Sequence, residues 1–215
     1  MVNSEINLPK QAYVNKFVPK SKFYERTHLS SRLQKEFTGK IQRITWKYKL
    51  AEETVGITKT EAVTEIQIFE LELKAQEIPE RILKVIDKAI PYQILYKFVY
   101  NGSVAWGITL KQGNKAENYY FSEWDAPLHF DFTGIDLEKV YQKLVRAFIG
   151  ADSAANRNFG ELVANDAARK QLESEIIALN RRMKREKQFN RKVDLNKVLL
   201  AKKQQLEYIK QELSG

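Results

Sequence analysis

Two carboxylates and a lysine share one face of a predicted strand, in a pattern that suits metal-dependent hydrolysis. The segment TEIQIFELELK, residues 64–74, alternates apolar and polar side chains, which is typical of a β-strand. Its period of two places Glu70, Glu72 and Lys74 on one face, about 7 Å apart per step at a rise of ~3.3 Å per residue. Paired carboxylates hold Mg²⁺, and a neighbouring lysine can position an attacking water. The strand is therefore a candidate catalytic site.

The E-x-K spacing at residues 72–74 resembles that of the PD-(D/E)xK nucleases, as does the predicted order of helix, strands, helix and strand around it. In those enzymes a further carboxylate binds Mg²⁺, and the upstream choices here are Glu53, Glu61 and Glu65. None of the three belongs to a Pro-Asp pair, which is a departure from that pattern. In the other interpretation, these residues form the solvent-exposed face of a half-buried strand. We favour it, with no catalytic residue and no cofactor, because E-x-K is common in chains with 29% charged residues.

The sequence of residues 171–215 predicts two helices that pack against each other as an antiparallel hairpin. Apolar residues recur in two arms with the alternating spacing of four and three that is typical of coiled coils. These seam positions are Leu172, Ile176, Leu179 and Met183 on the first arm, and Leu195, Leu199, Leu206, Ile209 and Leu213 on the second. Lys202 replaces one apolar position. The segment between the arms is too polar to hold a core, so we expect a turn there, with Asn190 or Asp194 capping the returning helix.

The predicted turn of this hairpin is strongly basic. Seven cations lie between residues 181 and 192, and only Glu186 opposes them. They are Arg181, Arg182, Lys184, Arg185, Lys187, Arg191 and Lys192. A projecting basic tip suits an acidic protein surface or the phosphates of DNA or RNA, and the seams would also allow homodimerisation. A secondary basic group lies on the N-terminal arm, at Lys16, Lys20, Lys22 and Arg26.

Composition excludes several classes of protein. The absence of cysteine rules out disulfides, thiolate metal sites and cysteine nucleophiles, and an apolar content of 43% excludes a mainly disordered chain. No apolar stretch suits a membrane span or a signal peptide, so we expect a soluble cytoplasmic protein. The net charge of +9 is uneven, with 11 Lys and Arg against 3 Asp and Glu in residues 1–50, and 14 against 9 in residues 151–215. Basic ends of this kind suit nucleic acid or acidic partners.

The elements between the arm and the hairpin predict an α+β domain. They are a helix capped by Ser30 or Ser31, strands at 41–50 and 64–74, a helix with Pro79 as its first residue, two strands joined by the turn Asn101-Gly102, a strand in ENYYFSEW, and a helix capped by Asp136. We predict an α+β domain over residues 1–150, with a mixed or antiparallel sheet, packed helices and an extended basic arm. Residues 151–170 form a linker or helix start, and 171–215 the coiled-coil-like antiparallel hairpin.

Two further groups of residues are weaker candidates. His28 and His129 lack a nearby nucleophile pattern, so a structural or surface role is favoured for both. Aromatic side chains alternate at strand spacing at Tyr92, Tyr96, Phe98, Tyr100 and Trp106. Such residues can stack on bases at an open sheet face, but packing in a core or across a hairpin is favoured.

Several segments in this order resemble an uncharacterised bacterial family, domain of unknown function 4391. They are VPKSKFYE, IQRITWKYKLAEET, EIQIFELELK with ERILKVIDKAIPY, YYFSEW, and REKQFNRKVDLN. The resemblance covers nearly the whole chain, and it brings no established activity with it. It implies a genomic setting beside helicases and DNA methyltransferases, in restriction-like or mobile-element defence loci, so the partner it implies is a helicase or DNA methyltransferase subunit.

Together these features predict a non-catalytic accessory subunit of a bacterial antiphage defence system. The hairpin tip would dock on the helicase or methyltransferase, with DNA or RNA as a further contact. The alternative is a Mg²⁺-dependent nuclease of the PD-(D/E)xK type that uses Glu70, Glu72 and Lys74. No membrane partner is expected in either case.

Overall fold

The computed structural model describes residues 7–112, 115–149 and 158–214, in two compact units, Met1–Phe148 and Ile149–Gly215. The strands are β1 (Tyr13–Phe17), β2 (Ile41–Ala51), β3 (Glu65–Leu73), β4 (Gln93–Tyr100), β5 (Ser103–Gln112) and β6 (Lys115–Phe121). The helices are α1 (Ser21–Thr27), α2 (Ser31–Lys40), α3 (Glu52–Val55), α4 (Glu80–Ala89), α5 (Leu137–Ile149), α6 (Phe159–Arg185) and α7 (Phe189–Ser214), with a 3-10 turn at Lys10–Ala12. None of the helices so described is both long and apolar enough to cross a membrane.

The six strands form one mixed sheet whose spatial order is the order of the chain. Strands β3 and β4 are parallel, and every other neighbouring pair is antiparallel. A parallel pair needs a crossover connection, and α4 supplies it. The predicted α+β class with a mixed sheet and a C-terminal helical hairpin is therefore confirmed.

One face of the sheet carries the main core. Alternate residues of β3 and β4 belong to it, including Phe69, Leu71, Tyr96 and Phe98, and side chains of α1, α2 and α4 complete it. Strand alternation places the other parity of β3 on the opposite face, where Ile66 is buried in turn. Strand β3 is therefore covered on both sides over its first half, where the polar residues Glu65 and Gln67 are buried as well as Ile66 and Ile68.

A buried ion pair fixes α4 to the sheet. The side chains of Asp87 on α4 and Lys111 on β5 are 1% and 0% exposed, and Lys111 Nζ lies 3.0 Å from Asp87 Oδ1. The same ammonium donates to the carbonyls of Ile90, at 2.8 Å, and Tyr92, at 2.6 Å, beyond the last turn of α4. Thr109 donates to Asp87 Oδ2 at 2.9 Å. Burial lowers the pKa of Lys111, while the charge of Asp87 opposes that shift.

Local sequence signals place most element boundaries. Ser30 caps α2 by accepting from the backbone of Leu33, and Asp136 caps α5 by accepting from Lys139. The turn between β4 and β5 has φ of 47° at Asn101 and 89° at Gly102, as an Asn-Gly hairpin requires.

Other boundaries differ from the prediction. Pro79 is the N-cap residue of α4 rather than its first helical residue. Helix α7 begins at Phe189, so the prediction that Asn190 or Asp194 caps it was wrong. The arm, expected to be extended or partly helical, contributes β1 to the sheet edge and the short helix α1.

The second unit is the predicted hairpin, with α6 already helical from Phe159, before the first predicted residue, Gln171. All nine predicted apolar seam residues are buried or half-buried. The seam extends further along α6, because Leu162 is 1% exposed and packs in one cluster with Leu213. Lys202, which interrupts the apolar pattern, lies 2.6 Å from Glu175 across the seam, and this polar contact helps to define the register of the two helices.

We expect Lys111→Met to lower the free energy of unfolding by about 3–5 kcal/mol, because it leaves the buried carboxylate of Asp87 without its cation. Part of that loss should return in the double variant with Asp87→Leu, which removes both charges. All three tryptophans lie in the first unit, so urea unfolding followed by tryptophan fluorescence measures the relevant transition. Lys88→Met, at the exposed neighbouring position, should change stability by less than about 0.5 kcal/mol. Equal losses for Lys111→Met and Lys88→Met would contradict this account.

Candidate functional site

The carboxylate strand is the first candidate site, and lysines of the neighbouring strands surround it. Glu70 lies on β3 with one oxygen 3.4 Å from Lys47 Nζ and the other 3.1 Å from Lys97 Nζ. Its side chain is 15% exposed, and the two lysine side chains are 26% and 29% exposed. Both oxygens of this half-buried carboxylate are therefore already bound to cations of the fold.

Glu72 is half-buried two residues further along β3, and its Cα partner on β2 is Arg43. The guanidinium of Arg43 lies over the ring of Phe17, 5.9 Å from its centroid. In a two-strand metal site the position facing Glu72 would suit another carboxylate, because Mg²⁺ takes oxygen ligands. The residue at that position is instead Arg43, a cation. Lys74 is exposed. The pKa of Lys20 is lowered mainly by the burial of Lys20 itself, and the positive charge of Lys74 lowers it further.

The upstream carboxylates considered as further ligands lie elsewhere. Glu65 belongs to β3 itself, but its odd position puts it on the face opposite to Glu70. Glu53 is bound to Lys49 at 2.6 Å, and that ion pair lowers the pKa of Glu53. Glu61 is an exposed residue of the connection before β3. Across the described ranges, no three His, Asp or Glu side chains come together in a way that would hold a metal ion.

The predicted basic residues of the N-terminal arm divide into two pairs. Lys20 Nζ donates to the Ile41 carbonyl at 2.6 Å, and Arg26 donates to the Ala89 carbonyl at 3.2 Å. These two cations therefore serve the fold by anchoring α1 to β2 and α4. Lys16 and Lys22 are exposed.

The aromatic and histidine candidates have structural surroundings. Tyr96 and Phe98 are fully buried and stack on each other, and Trp106 packs edge-on against Phe130 at 4.9 Å. They are core residues and not a platform for bases. His28 ends α1 in the left-handed conformation, with φ of 49°.

His129 is exposed at a cavity of about 600 Å³ in the first unit. Residues 7–9, 55, 57 and 128–134 line this cavity. The carboxylate in it, Asp131, accepts from Lys143 at 2.6 Å and from Thr133, and these bonds lower its pKa to about 2. Most of the other lining residues are apolar, and the polar side chains among them are those of Asn7, His129 and Thr133.

The hairpin tip is the second candidate site, and all seven of its cations are exposed. In the described part of the chain, none of them forms an ion pair within 4 Å. The one acid of the tip, Glu186, closes the turn instead. Its Oε1 accepts from the backbone N–H groups of Lys187 at 2.8 Å and Gln188 at 2.9 Å, and these bonds lower its pKa. The tip therefore presents a dense and largely unbalanced positive charge.

Sequence reasoning missed the apolar surface beside these cations. Phe189, the first residue of α7, is 78% exposed, and Val193 one turn later is 37% exposed. Val193 lines a groove of about 420 Å³, together with Met183, Lys184, Lys192 and Asn196. The signal in the sequence was the pair of apolar residues within an otherwise polar segment, at the helical spacing of four.

Comparison with known proteins identifies a family for the chain. The family model named Domain of unknown function (DUF4391) matches residues 6–206. No curated protein and no solved structure matches the chain.

We expect the purified protein to leave DNA and RNA uncut in Mg²⁺ or Mn²⁺, because cations of the fold already occupy both oxygens of Glu70. Glu70→Gln should instead destabilise the first unit by about 1–3 kcal/mol, since it removes the negative charge that two half-buried lysines share and replaces one acceptor oxygen by an NH₂ donor. Glu72→Gln, which lacks such contacts in the described structure, should cost less than about 0.5 kcal/mol. Gel assays and urea titration measure the two effects. Metal-dependent cleavage that Glu72→Ala abolishes would overturn the non-catalytic interpretation.

Proposed function

The chain belongs to the DUF4391 family, and we propose that it is a non-catalytic accessory subunit that binds a protein partner through its hairpin tip. The partner implied by the family resemblance is a helicase or DNA methyltransferase of a bacterial defence system. The observation that carries the proposal is the set of seven exposed tip cations, beside which the only acid is engaged in closing the turn.

A surface with this density of positive charge favours the binding of an acidic partner. Seven cations at the end of a two-helix arm repel one another, and bound anions relieve that repulsion. A cluster of this kind also raises the rate of encounter with a partner of opposite charge. Because the seam between α6 and α7 holds the hairpin, the tip residues are free of any role in the core. Their charge is therefore available for recognition.

The arrangement around β3 supports the non-catalytic part of the proposal. A metal-dependent nuclease needs carboxylates that are free to hold Mg²⁺, whereas both oxygens of Glu70 form ion pairs with lysines, and the Cα partner of Glu72 on β2 is Arg43, a cation and not an acid. The nuclease alternative would require the two ion pairs of Glu70 to open and a further acid to enter the site. No described residue is placed to supply that acid.

We expect a variant with Arg181, Arg182, Lys184 and Arg185 all changed to Gln to lose co-purification with the helicase or methyltransferase partner. The fold should survive, because all four side chains are exposed. The measurement is pull-down of the co-expressed partner, with circular dichroism as the test of folding. A matched control changes four exposed cations of the first unit, Arg32, Lys35, Lys59 and Lys88, to Gln and removes the same charge.

The salt dependence of DNA binding separates a protein partner from nucleic acid. Each phosphate contact contributes about 0.9 to the slope of log affinity against log salt concentration for duplex DNA. With a protein partner, the tip variant and the control should have the same slope. A flatter slope in the tip variant, with the protein partner retained, would indicate nucleic acid as the ligand. If neither assay changes, the tip is only solvated and the proposal is wrong.

A further inference from the structure

The hairpin tip combines its positive charge with an exposed apolar face. Phe189, Val193 and Leu200 are 78%, 37% and 53% exposed. At 100° per residue these three positions of α7 lie within about 40° of one another, so they share one side of the helix. The seam residue Leu199 points to a different side and is 3% exposed. The first half of α7 therefore carries a second set of apolar residues, which is exposed, besides the buried seam.

The groove at the tip joins this apolar face to the basic residues. Met183 and Val193 form its apolar part, and Lys184 and Lys192 stand beside them with exposed side chains. Its volume is about 420 Å³, and it is open to solvent rather than enclosed. An occupant of this groove meets apolar contacts and two ammonium groups at once.

On the basis of the proposed function, we infer that the groove receives an acidic amphipathic segment of the partner protein. An apolar side chain of that segment enters between Met183 and Val193 and packs against Phe189. Its carboxylates, one helical turn to either side, pair with Lys184 and Lys192. Apolar anchors in grooves with charged surroundings are a common mode of recognition for amphipathic helices.

Two other occupants fit these features less well. Nucleic acid would satisfy the cations, but its phosphates and sugars would leave the aliphatic side chains of Val193 and Leu200 uncovered. A second copy of the tip would bring seven further cations to a surface with a single engaged acid, and like charges repel. Complementarity of charge and of apolar area together selects an acidic, apolar protein segment.

Selection from a library of random 16-residue peptides displayed on phage, with the full chain as bait, tests this inference. Selected peptides should be rich in Asp and Glu and should share at least one large apolar residue at helical spacing from the acids. A synthetic peptide of the selected sequence should then bind about 30-fold or more weakly to Phe189→Ser/Val193→Ser, as expected for the loss of an apolar hot spot. The control Val198→Ser/Tyr208→Ser removes apolar side chains that are 45% and 63% exposed elsewhere on α7, and it should bind as the parent does.

Three outcomes would overturn the inference. They are the absence of an acidic consensus, an acidic consensus without an apolar position, and equal binding by the Phe189→Ser/Val193→Ser variant and the parent. The proposed function fails separately, because it depends on the basic residues. The variant with Arg181, Arg182, Lys184 and Arg185 changed to Gln is compared with Phe189→Ser/Val193→Ser. If the first loses the protein partner and the second retains it, binding depends on the charges and not on the apolar residues. The accessory role then stands and the amphipathic ligand is wrong.

Discussion

The packing of the first unit depends on the contacts that hold the last turn of α4 against the sheet. Strands β3 and β4 are parallel, so the chain has to cross the sheet between them, and α4 makes that crossing. The helix ends in the core, where carbonyl groups without donors are costly. Lys111 from β5 and Arg26 from α1 donate to carbonyls at this end, and Asp87 balances the buried lysine. Cations at a helix C-terminus also interact favourably with its dipole. Removal of either partner would leave an unpaired charge, so the pair restricts α4 to one position on the sheet.

That position of α4 determines the surroundings of the carboxylate strand. With β4 held parallel to β3, Lys97 becomes the direct neighbour of Glu70, and β2 brings Lys47 from the other side. A carboxylate between two lysines stabilises the sheet as a cross-strand ion pair does. The same lysines compete with Mg²⁺ for its oxygens. The pattern that suggested a metal site in the sequence therefore contributes to the sheet in the fold.

In the second unit, the residues that stabilise the hairpin are separate from those of the proposed binding surface. The apolar seam and the contact between Glu175 and Lys202 hold α6 and α7 together, and a polar pair within a seam favours one register over its neighbours. The tip carries little of that stability. It can therefore concentrate like charges and leave Phe189 in water, which a core region could not. The partner segment that we propose would cover this apolar side chain.

The sequence by itself determined most of the elements, because their signals are local. Alternation identified β3, the seam spacing identified α6 and α7, and Asn101-Gly102 required a tight turn whatever the rest of the chain did. The exposure of the tip cations also followed from a segment too polar to be buried. Tertiary structure alone decided which charges meet. Lys47 and Lys97 lie 23 and 27 residues from Glu70 in the chain, and Asp87 is 24 residues from Lys111. Pairing across strands has no local signal, because it depends on sheet order and register, and these follow from the packing of the whole unit.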